Sequence, residues 1–425
     1  MTIVIFMGSL LGAMALGVPI AFALLACGVA LMLHLDSFDT QILAQNLLEG
    51  VNNYPLMAVP FFMLAGELMN AGGMSRRIVA VADALVGHLR GGLGYAAILT
   101  ALVMASVSGS AVADTAAVAA MLIPMMRNAG YDVPRSAGLI AAGGIIAPII
   151  PPSIAFVVFG VAAQISVTKL FFAGIFPGLM MAAALGCTWW FCARKESSAK
   201  LQKFEMRRLT KALADGVWAL ILPVVIIGGM KFGVFTPTEA AVVAVVYSLV
   251  VGLLVYRDLD LRRLPVLMLS AAKTSSTVMF LVAAALVSAW LITIADIPSQ
   301  ASTLLRPFMD NKILLMFMMM VLVIIVGTAL DLMPTVLILT PILMPIVREA
   351  GIDPVYFGVM FIMNNAIGLL TPPVGTVLNV AAGVAGTSLD SVIKGVWPFL
   401  LAQTALLFLF VLFPSLVMVP ASWFR

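Results

Sequence analysis

Long apolar runs separated by short polar connectors make up nearly the whole chain. The first 33 residues carry no charged side chain and lack a basic start, so they read as membrane span rather than as a cleavable leader. Residues 217–255 are interrupted only at 231–239, which predicts two spans, roughly 216–230 and 236–256. Residues 397–420 form another run long enough to cross a bilayer. The connector 74–89 has a different pattern. There Ile78, Val79, Val81, Ala82 and Leu85 are set against Arg76, Arg77, Asp83 and His88, which predicts a helix lying at the membrane interface.

Two apolar runs contain a double proline, and their surroundings repeat. Pro124, Arg127, Ala129, Gly130, Asp132 and Pro151-Pro152 recur 221 positions later as Pro345, Arg348, Ala350, Gly351, Asp353 and Pro372-Pro373. Between residues 122 and 152 nine of 31 positions are identical at that offset, where composition alone gives about two or three. A continuous helix cannot run through either pair, because proline lacks the N–H donor and clashes one turn back. Pro151, Pro152, Pro372 and Pro373 are therefore expected as structural breaks. Paired, interrupted apolar segments in corresponding halves point to the binding site of a secondary transporter.

Upstream of each break the pattern predicts a re-entrant hairpin. In the first, 91–107 enters, 108–110 turns and 111–126 returns; in the second, 313–326 enters, 327–334 turns and 335–347 returns. Two short full spans also fit the hydropathy, and the charge map favours the hairpins. The stretch 194–211 holds seven Lys/Arg and is placed in the cytoplasm. Residues 36–53 contain Asp36, Asp39 and Glu49 without Lys or Arg and fall outside. Counting outward places the segments 127–132 and 348–353 on opposite sides, so the two copies are inverted. The N-terminus is expected in the cytoplasm.

Composition agrees. The chain of 425 residues is 63% hydrophobic and 10% charged, against about 25% charge in soluble domains. The fold expected is an all-α polytopic membrane protein, an inverted-repeat transporter with re-entrant hairpins and discontinuous helices. Its parts are spans and an interfacial arm at 1–90, a first hairpin and broken span at 91–168, and a closing span, loop 194–215 and the spans of the second repeat at 169–310. A second hairpin and broken span occupy 311–388 and a closing span 389–425. Net charge is only +4, which gives no argument for nucleic acid. Cys27, Cys187 and Cys192 lie in apolar helices, leaving no disulfide framework or metal spacing.

The polar residues of these apolar segments concentrate at the turns and breaks. Prolines and glycines free backbone carbonyls, and these with Ser, Thr and Asn oxygens can cage a small cation. The cation candidates are Ser106, Ser108, Asp114, Ala147 and Ile150 in the first half, and Gly327, Asp331, Gly368, Thr371 and Val374 in the second. At the fixed offset Ser106 matches Gly327, Ala147 matches Gly368, Ile150 matches Thr371 and Ser153 matches Val374. Side chains differ while prolines persist, so backbone oxygens are expected to do much of the ligation, at one site per half. The anion candidates are Ser110, Ser153, Asn364, Asn365, Gly375 and Thr376; half-helix N-termini at Ser153 and Gly375 offer a positive dipole end. The alternative for the glycines and serines is close helix packing. Asp114 and Asp331 either bind a proton or sodium or cap the returning hairpin helices. Glu67 reads as a structural partner or a hydrated end residue, Arg127 and Arg348 as helix-end caps, and His34 and His88 as interfacial.

Enzyme chemistry finds no support. There is no Gly-x-x-x-x-Gly-Lys-Ser/Thr loop, no His-Glu-x-x-His, and no histidine placed to activate a serine. No cofactor is expected, and no metal beyond sodium.

Residues 60–67 (PFFMLAGE), 106–115 (SVSGSAVADT), 148–153 (PIIPPS), 233–240 (GVFTPTEA) and 364–375 (NNAIGLLTPPVG) resemble the large membrane subunit of TRAP (tripartite ATP-independent periplasmic) transporters, over essentially the whole chain. The resemblance implies an elevator-type transporter, in which transport-domain halves at 91–168 and 311–388 slide against scaffold spans within 1–90 and 169–310, together with sodium-driven symport and residence in the bacterial inner membrane. It implies two partners: a small four-helix membrane subunit, expected as a separate chain, and a periplasmic substrate-binding protein. It implies one sodium site at Gly327, Gly368, Thr371 and Val374. Substrates implied are organic acid anions: C4-dicarboxylates, sialic acid, keto acids and sugar acids such as 2,3-diketo-L-gulonate. The alternatives are a stand-alone sodium/carboxylate symporter of the same architecture and a channel without coupled transport.

Overall fold

The computed structural model describes residues 2–194 and 204–423, which are helical with no strand among them. Lys195, Lys200 and Lys203 of the basic stretch 194–211 lie outside the described residues. The first half runs α1 (Thr2–Ala15), α2 (Ile20–His34), α3 (Thr40–Val51), α4 (Ala58–Ala71), α5 (Met74–Val86), α6 (Gly92–Ser108), α7 (Ala111–Asn128), α8 (Val133–Gly144), α9 (Ile154–Ala163) and α10 (Val167–Ala193). The second runs α11 (Met206–Lys231), α12 (Pro237–Val250), α13 (Leu264–Ile294), α14 (Ile297–Leu305), α15 (Lys312–Gly327), α16 (Leu332–Glu349), α17 (Pro354–Gly368), α18 (Thr376–Ala385), α19 (Leu389–Leu412) and α20 (Ser415–Ser422). Among the described residues six helices are long and apolar enough to cross a membrane, or seven if α4 and α5 count as one bent span.

The sequence repeat is a structural repeat. Both ends of α7 and α16 lie 221 residues apart, and so do the first residues of α8 and α17. Asp132 and Asp353 cap α8 and α17 through their carboxylates. After the breaks the offset becomes 222. The N-caps Ser153 and Gly375, the left-handed C-caps Gln164 and Gly386, and the N-caps Ser166 and Ser388 all match at that spacing. The second break therefore holds one extra residue, and the structural counterpart of Ser153 is Gly375 rather than Val374.

Three boundaries differ from the hydropathy. The first 33 residues form two helices packed on one another, divided at Gly17, whose φ of +80 only glycine adopts readily, and at Pro19. The apolar run 397–420 is divided at Phe413 and Pro414. The second hairpin turn spans only 328–331.

The arm helix α5 leaves α4 at a bend of 66°, through Gly72 and a left-handed Gly73. It buries Ile78, Val79, Val81 and Ala82 while Leu85 is exposed. Asp83 of its polar face is buried too, paired with Arg208 at the start of α11. Arg77 stacks on Tyr256 at 3.7 Å and, with Arg76, binds Asp258 in the loop after α12. The Arg77 and Arg76 guanidiniums hold the Asp258 carboxyl below the usual carboxylate range.

Packing within the centre is crosswise. The returning hairpin helix α7 lies on α18, the post-break helix of the other half, and α16 lies on α9. Arg127 at the end of α7 donates to the Ala385 carbonyl, and Arg348 at the end of α16 donates to the Ala163 carbonyl at 2.8 Å. Each arginine thus caps the C-terminal end of the other half's helix, where carbonyls lack helical partners and a positive charge is favoured. The α4 and α13 helices flank this centre, α4 against α6 and α9 and α13 against α16.

Candidate functional site

Both hairpin tips and both breaks meet around a cavity of about 200 Å³. Gly109, Ser110 and Ala111 line it from the first tip, Asp331, Leu332 and Met333 from the second. Pro148 and Leu369 come from the breaks; Met63 on α4 and Thr274 and Val278 on α13 close the remaining side. The N-terminal ends of α7 and α16 both border this space, so two positive dipole ends converge on it. Asp331 is the N-cap residue of α16, yet its carboxylate makes no capping hydrogen bond and is exposed. Of the two roles open to it, the capping one is unused here.

The first tip is held by its own polar groups. Ser108 donates from its hydroxyl to Asp114, and the Ser110 amide donates to Ser108 Oγ at 3.2 Å. The second Asp114 oxygen has no partner among the described residues, and neither has the buried Thr115 hydroxyl. That hydroxyl sits against Gly144 of α8, where a Cβ would come within 1.9 Å of it. Gly109 has φ +62, and a Cβ there would lie 2.6 Å from the Pro152 carbonyl, so tip and break touch through glycine.

The first break, residues 145–153, is buried throughout. Amide donation from Ile146 to Gly143 and from Ala147 to Gly144, both at 3.1 Å, ends α8 in a tightened turn. Ser153 donates to the Pro148 carbonyl and accepts from the Phe156 amide at 3.1 Å, so its hydroxyl is fully engaged as a cap. Ile150 packs against Gly178 of α10, and Ser106 donates to Val103 within its own helix.

The second break is the more open of the two, with Pro373 and Val374 exposed. The Val374 carbonyl accepts from Asn379 at 2.7 Å, and the Thr371 hydroxyl donates to Ile367 at 3.0 Å. Beneath them Gly327 and Gly368 approach closely: a Cβ on Gly368 would lie 2.9 Å from the Gly327 carbonyl oxygen. Asn364 donates to the Met320 carbonyl at 2.7 Å, but its own Oδ1 is unpartnered. Asn365, 2% exposed, has both amide atoms unpartnered among the described residues, and its Oδ1 faces Gly327. The Thr376 hydroxyl after Gly375 is likewise unpartnered. Buried polar atoms left without a bond cost about 1–3 kcal/mol each, so this concentration marks a candidate site for a bound ion or water. Hard oxygens around a close glycine–glycine approach suit a small cation.

The structure therefore gathers Gly327, Gly368 and Asn365 in one place, Ser108 and Asp114 in another, and Ser110 with Asp331 on the central cavity. It leaves Ser106, Ile150 and Ser153 occupied by local packing or capping. Sequence reasoning missed the cavity wall supplied by Met63, Thr274 and Val278. The one signal for it was the polar run from Lys273 to Thr277 inside an otherwise apolar helix.

Residues 7–416 match the family model for the tripartite ATP-independent periplasmic transporter, DctM component. The chain is 57% identical over 423 residues to the 2,3-diketo-L-gulonate TRAP transporter large permease protein of Escherichia coli (strain K12), covering all of both chains. It is 36% identical to the sialic acid large permease of Vibrio cholerae, over 95% of each chain, and 35% identical to the C4-dicarboxylate large permease of Rhodobacter capsulatus, over 98% of each. Among solved structures the fold is similar to that of the Alcanivorax borkumensis YdaH transporter, with a TM-score of 0.61, 15% identity and 87% of each chain covered. The protein is thus a multi-pass membrane transport component and not an enzyme: it belongs to the DctM large-permease family of TRAP transporters.

Proposed function

We propose that this chain carries a small organic acid anion across the bacterial inner membrane, driven by a sodium gradient, through sliding of residues 91–168 and 311–388 against the rest. The observation that carries the reading is the cavity between the two hairpin tips, walled on its third side by α4 and α13. A site bounded partly by one moving body and partly by a fixed one is what alternating access by sliding requires. Two converging helix N-termini favour an anion, and the unpartnered oxygens of Asn364 and Asn365 beside Gly327 and Gly368 favour a sodium ion in the second half. Asp114, with one oxygen unpartnered, is the matching candidate in the first half.

At about 200 Å³ the cavity is smaller than the 300–1,000 Å³ typical of drug-sized ligands, which favours a sugar acid, keto acid or C4-dicarboxylate. Within that range the relative named for 2,3-diketo-L-gulonate supports a sugar acid. A small four-helix membrane subunit and a periplasmic binding protein are the partners proposed, with the N-terminus in the cytoplasm. The test is uptake of labelled sugar acids and dicarboxylates into proteoliposomes holding this chain and its small subunit, under an inward sodium gradient, with and without the binding protein. Accumulation needing gradient and binding protein supports the reading. Accumulation without binding protein would favour a stand-alone symporter, and a non-concentrating, sodium-independent flux a channel.

A further inference from the structure

Away from the hairpin tips, a cavity of about 600 Å³ opens between the arm helix α5, the first turns of α11 and the chain leaving α12. Arg76, Arg77 and Ala80 line it from α5, Asp215 and Trp218 from α11, and Tyr256 from the chain after α12. Each element changes there from charged to apolar sequence. Asp215 is the last charged residue of α11 before Lys231 at its far end, Tyr256 is followed by Arg257 and Asp258, and Arg76 and Arg77 belong to the polar face of the arm. Since α11 is long and apolar enough to cross the membrane, this change marks the level where hydrocarbon meets headgroups, which Trp and Tyr favour. Trp218, Ile221 and Val224 follow Asp215 at steps of three along α11, and all are exposed, as are Leu254 and Val255 before Tyr256. An apolar surface therefore leads away from the cavity toward the span.

The charges in the cavity are unevenly satisfied. Arg76 at 3.0 Å and Arg77 at 2.6 Å bond to the same oxygen of Asp258, so two guanidiniums share one carboxylate. Arg77 is further engaged by the Gly73 carbonyl at 3.0 Å and by the Tyr256 ring. Arg76 has no other partner among the described residues, and its side chain is 70% exposed. The exposed Asp215 carboxylate forms no hydrogen bond or ion pair among the described residues. One under-used guanidinium and one unpaired carboxylate thus border the same space without pairing with each other.

We propose that this cavity binds the headgroup of a zwitterionic phospholipid with a primary ammonium, its phosphate on Arg76 and its ammonium on Asp215. The acyl chains then lie over Ile221, Val224 and Val255. A guanidinium matches phosphate oxygens with paired donors. A primary ammonium gives a carboxylate three donors, which a quaternary ammonium lacks. An anionic headgroup with no ammonium sets its charge beside Asp215 uncompensated. A lipid held in this way bridges α5 and α11, as the Asp83–Arg208 pair does.

The test is thermal unfolding of the full chain in detergent, alone and with its small membrane subunit, titrated with phosphatidylethanolamine, phosphatidylcholine or phosphatidylglycerol. Phosphatidylethanolamine should protect at the lowest concentration. Arg76→Gln and Asp215→Asn should each weaken its apparent affinity about three- to tenfold. Both residues are exposed, and Arg76→Gln leaves Arg77 on Asp258, so both variants are expected to fold. Asp215→Asn should in addition reverse the ranking, because the cavity keeps its guanidiniums and loses its free carboxylate; phosphatidylglycerol then protects best. A merely structural role for Asp215 would lower the unfolding temperature and leave the ranking unchanged, which would overturn the proposal. Equal protection by the three lipids in the wild type would do the same. Protection by soluble glycerophosphoethanolamine equal to that of the lipid would overturn the membrane as its source and leave a site for free phosphate esters. Loss of all headgroup dependence once the small subunit is bound, with none seen before, would overturn the lipid and assign the cavity to that partner.

Discussion

Gly327 and Gly368 face each other across the second half's candidate cation site, and the structure predicts opposite outcomes for adding a methyl group to each. A Cβ on Gly368 would lie 2.9, 3.1 and 3.2 Å from the oxygen, carbon and Cα of Gly327, all backbone atoms. None can rotate aside, so Gly368→Ala must push the hairpin end away by roughly half an ångström to reach ordinary contact distance. Overpacking of this kind costs about 1–3 kcal/mol. A displacement of that size also matches the tolerance of a preorganised site. If the cost falls on the ion-bound state, apparent sodium affinity drops about 5- to 150-fold. On Gly327 the new Cβ would instead meet Asn365 Oδ1 at 3.4 Å, an ordinary contact that requires no displacement of that buried amide. Gly327→Ala should therefore shift sodium activation by less than about threefold, well under 1 kcal/mol. The assay is uptake against sodium concentration in proteoliposomes, with thermal unfolding in detergent to confirm that both variants fold. Unchanged sodium activation in Gly368→Ala, or an equal loss in Gly327→Ala, would refute the reasoning.

Arg127→Gln and Arg348→Gln each remove one charge-assisted hydrogen bond to a helix end of the other half, costing about 1.5–3 kcal/mol. Thermal unfolding should show similar losses for the two, and a loss in only one would break the structural equivalence of the halves. Arg208→Met leaves the Asp83 carboxylate, 3% exposed, without its guanidinium, a change worth about 3–5 kcal/mol for a fully buried pair. Here it should fall at the low end, because Arg208 is about half exposed. Adding Asp83→Asn should recover most of it in a double-mutant cycle. Arg77 and Arg76 hold the Asp258 carboxyl below its unfolded value, which is about 3.9. Its stabilisation is complete above that value and disappears as pH falls through the lower folded pKa. Unfolding temperature should be insensitive to this group between pH 5 and 8, and Asp258→Asn should flatten only the acid limb.

Helix breaks, hairpin turns and the repeat were legible because proline and glycine act locally, through a missing donor or a positive φ, and leave their mark at fixed positions. The extra residue of the second break was not legible at a fixed offset. Only the caps reveal it, since Ser153 and Gly375 begin equivalent helices by different means: one bonds through a hydroxyl, the other adopts a left-handed backbone. Arg127 and Arg348 were recognisable as helix caps, but not as caps of the opposite half, because which helix end they meet depends on how the two copies fold together.

The deeper limit concerns the cavity itself. A repeat highlights what the halves share, so it drew attention to Asp114, Ser110 and the prolines and away from whatever breaks the symmetry. The cavity wall formed by Thr274 and Val278 belongs to α13, a single 31-residue helix, whereas the matching stretch of the first half is divided into α3 and α4 by residues 52–57. A binding site for an asymmetric anion needs unlike walls. Two tips that resemble each other can supply converging helix ends, but telling the carboxylate end of a substrate from its hydroxyl end requires groups without a counterpart. Asp331 on one tip, where the first half has Ser110, and Thr274 on the undivided helix are such groups. Substrate choice in this fold is therefore expected to reside where the repeat fails, and uptake selectivity should follow substitutions at these two positions more closely than at any symmetry-matched pair.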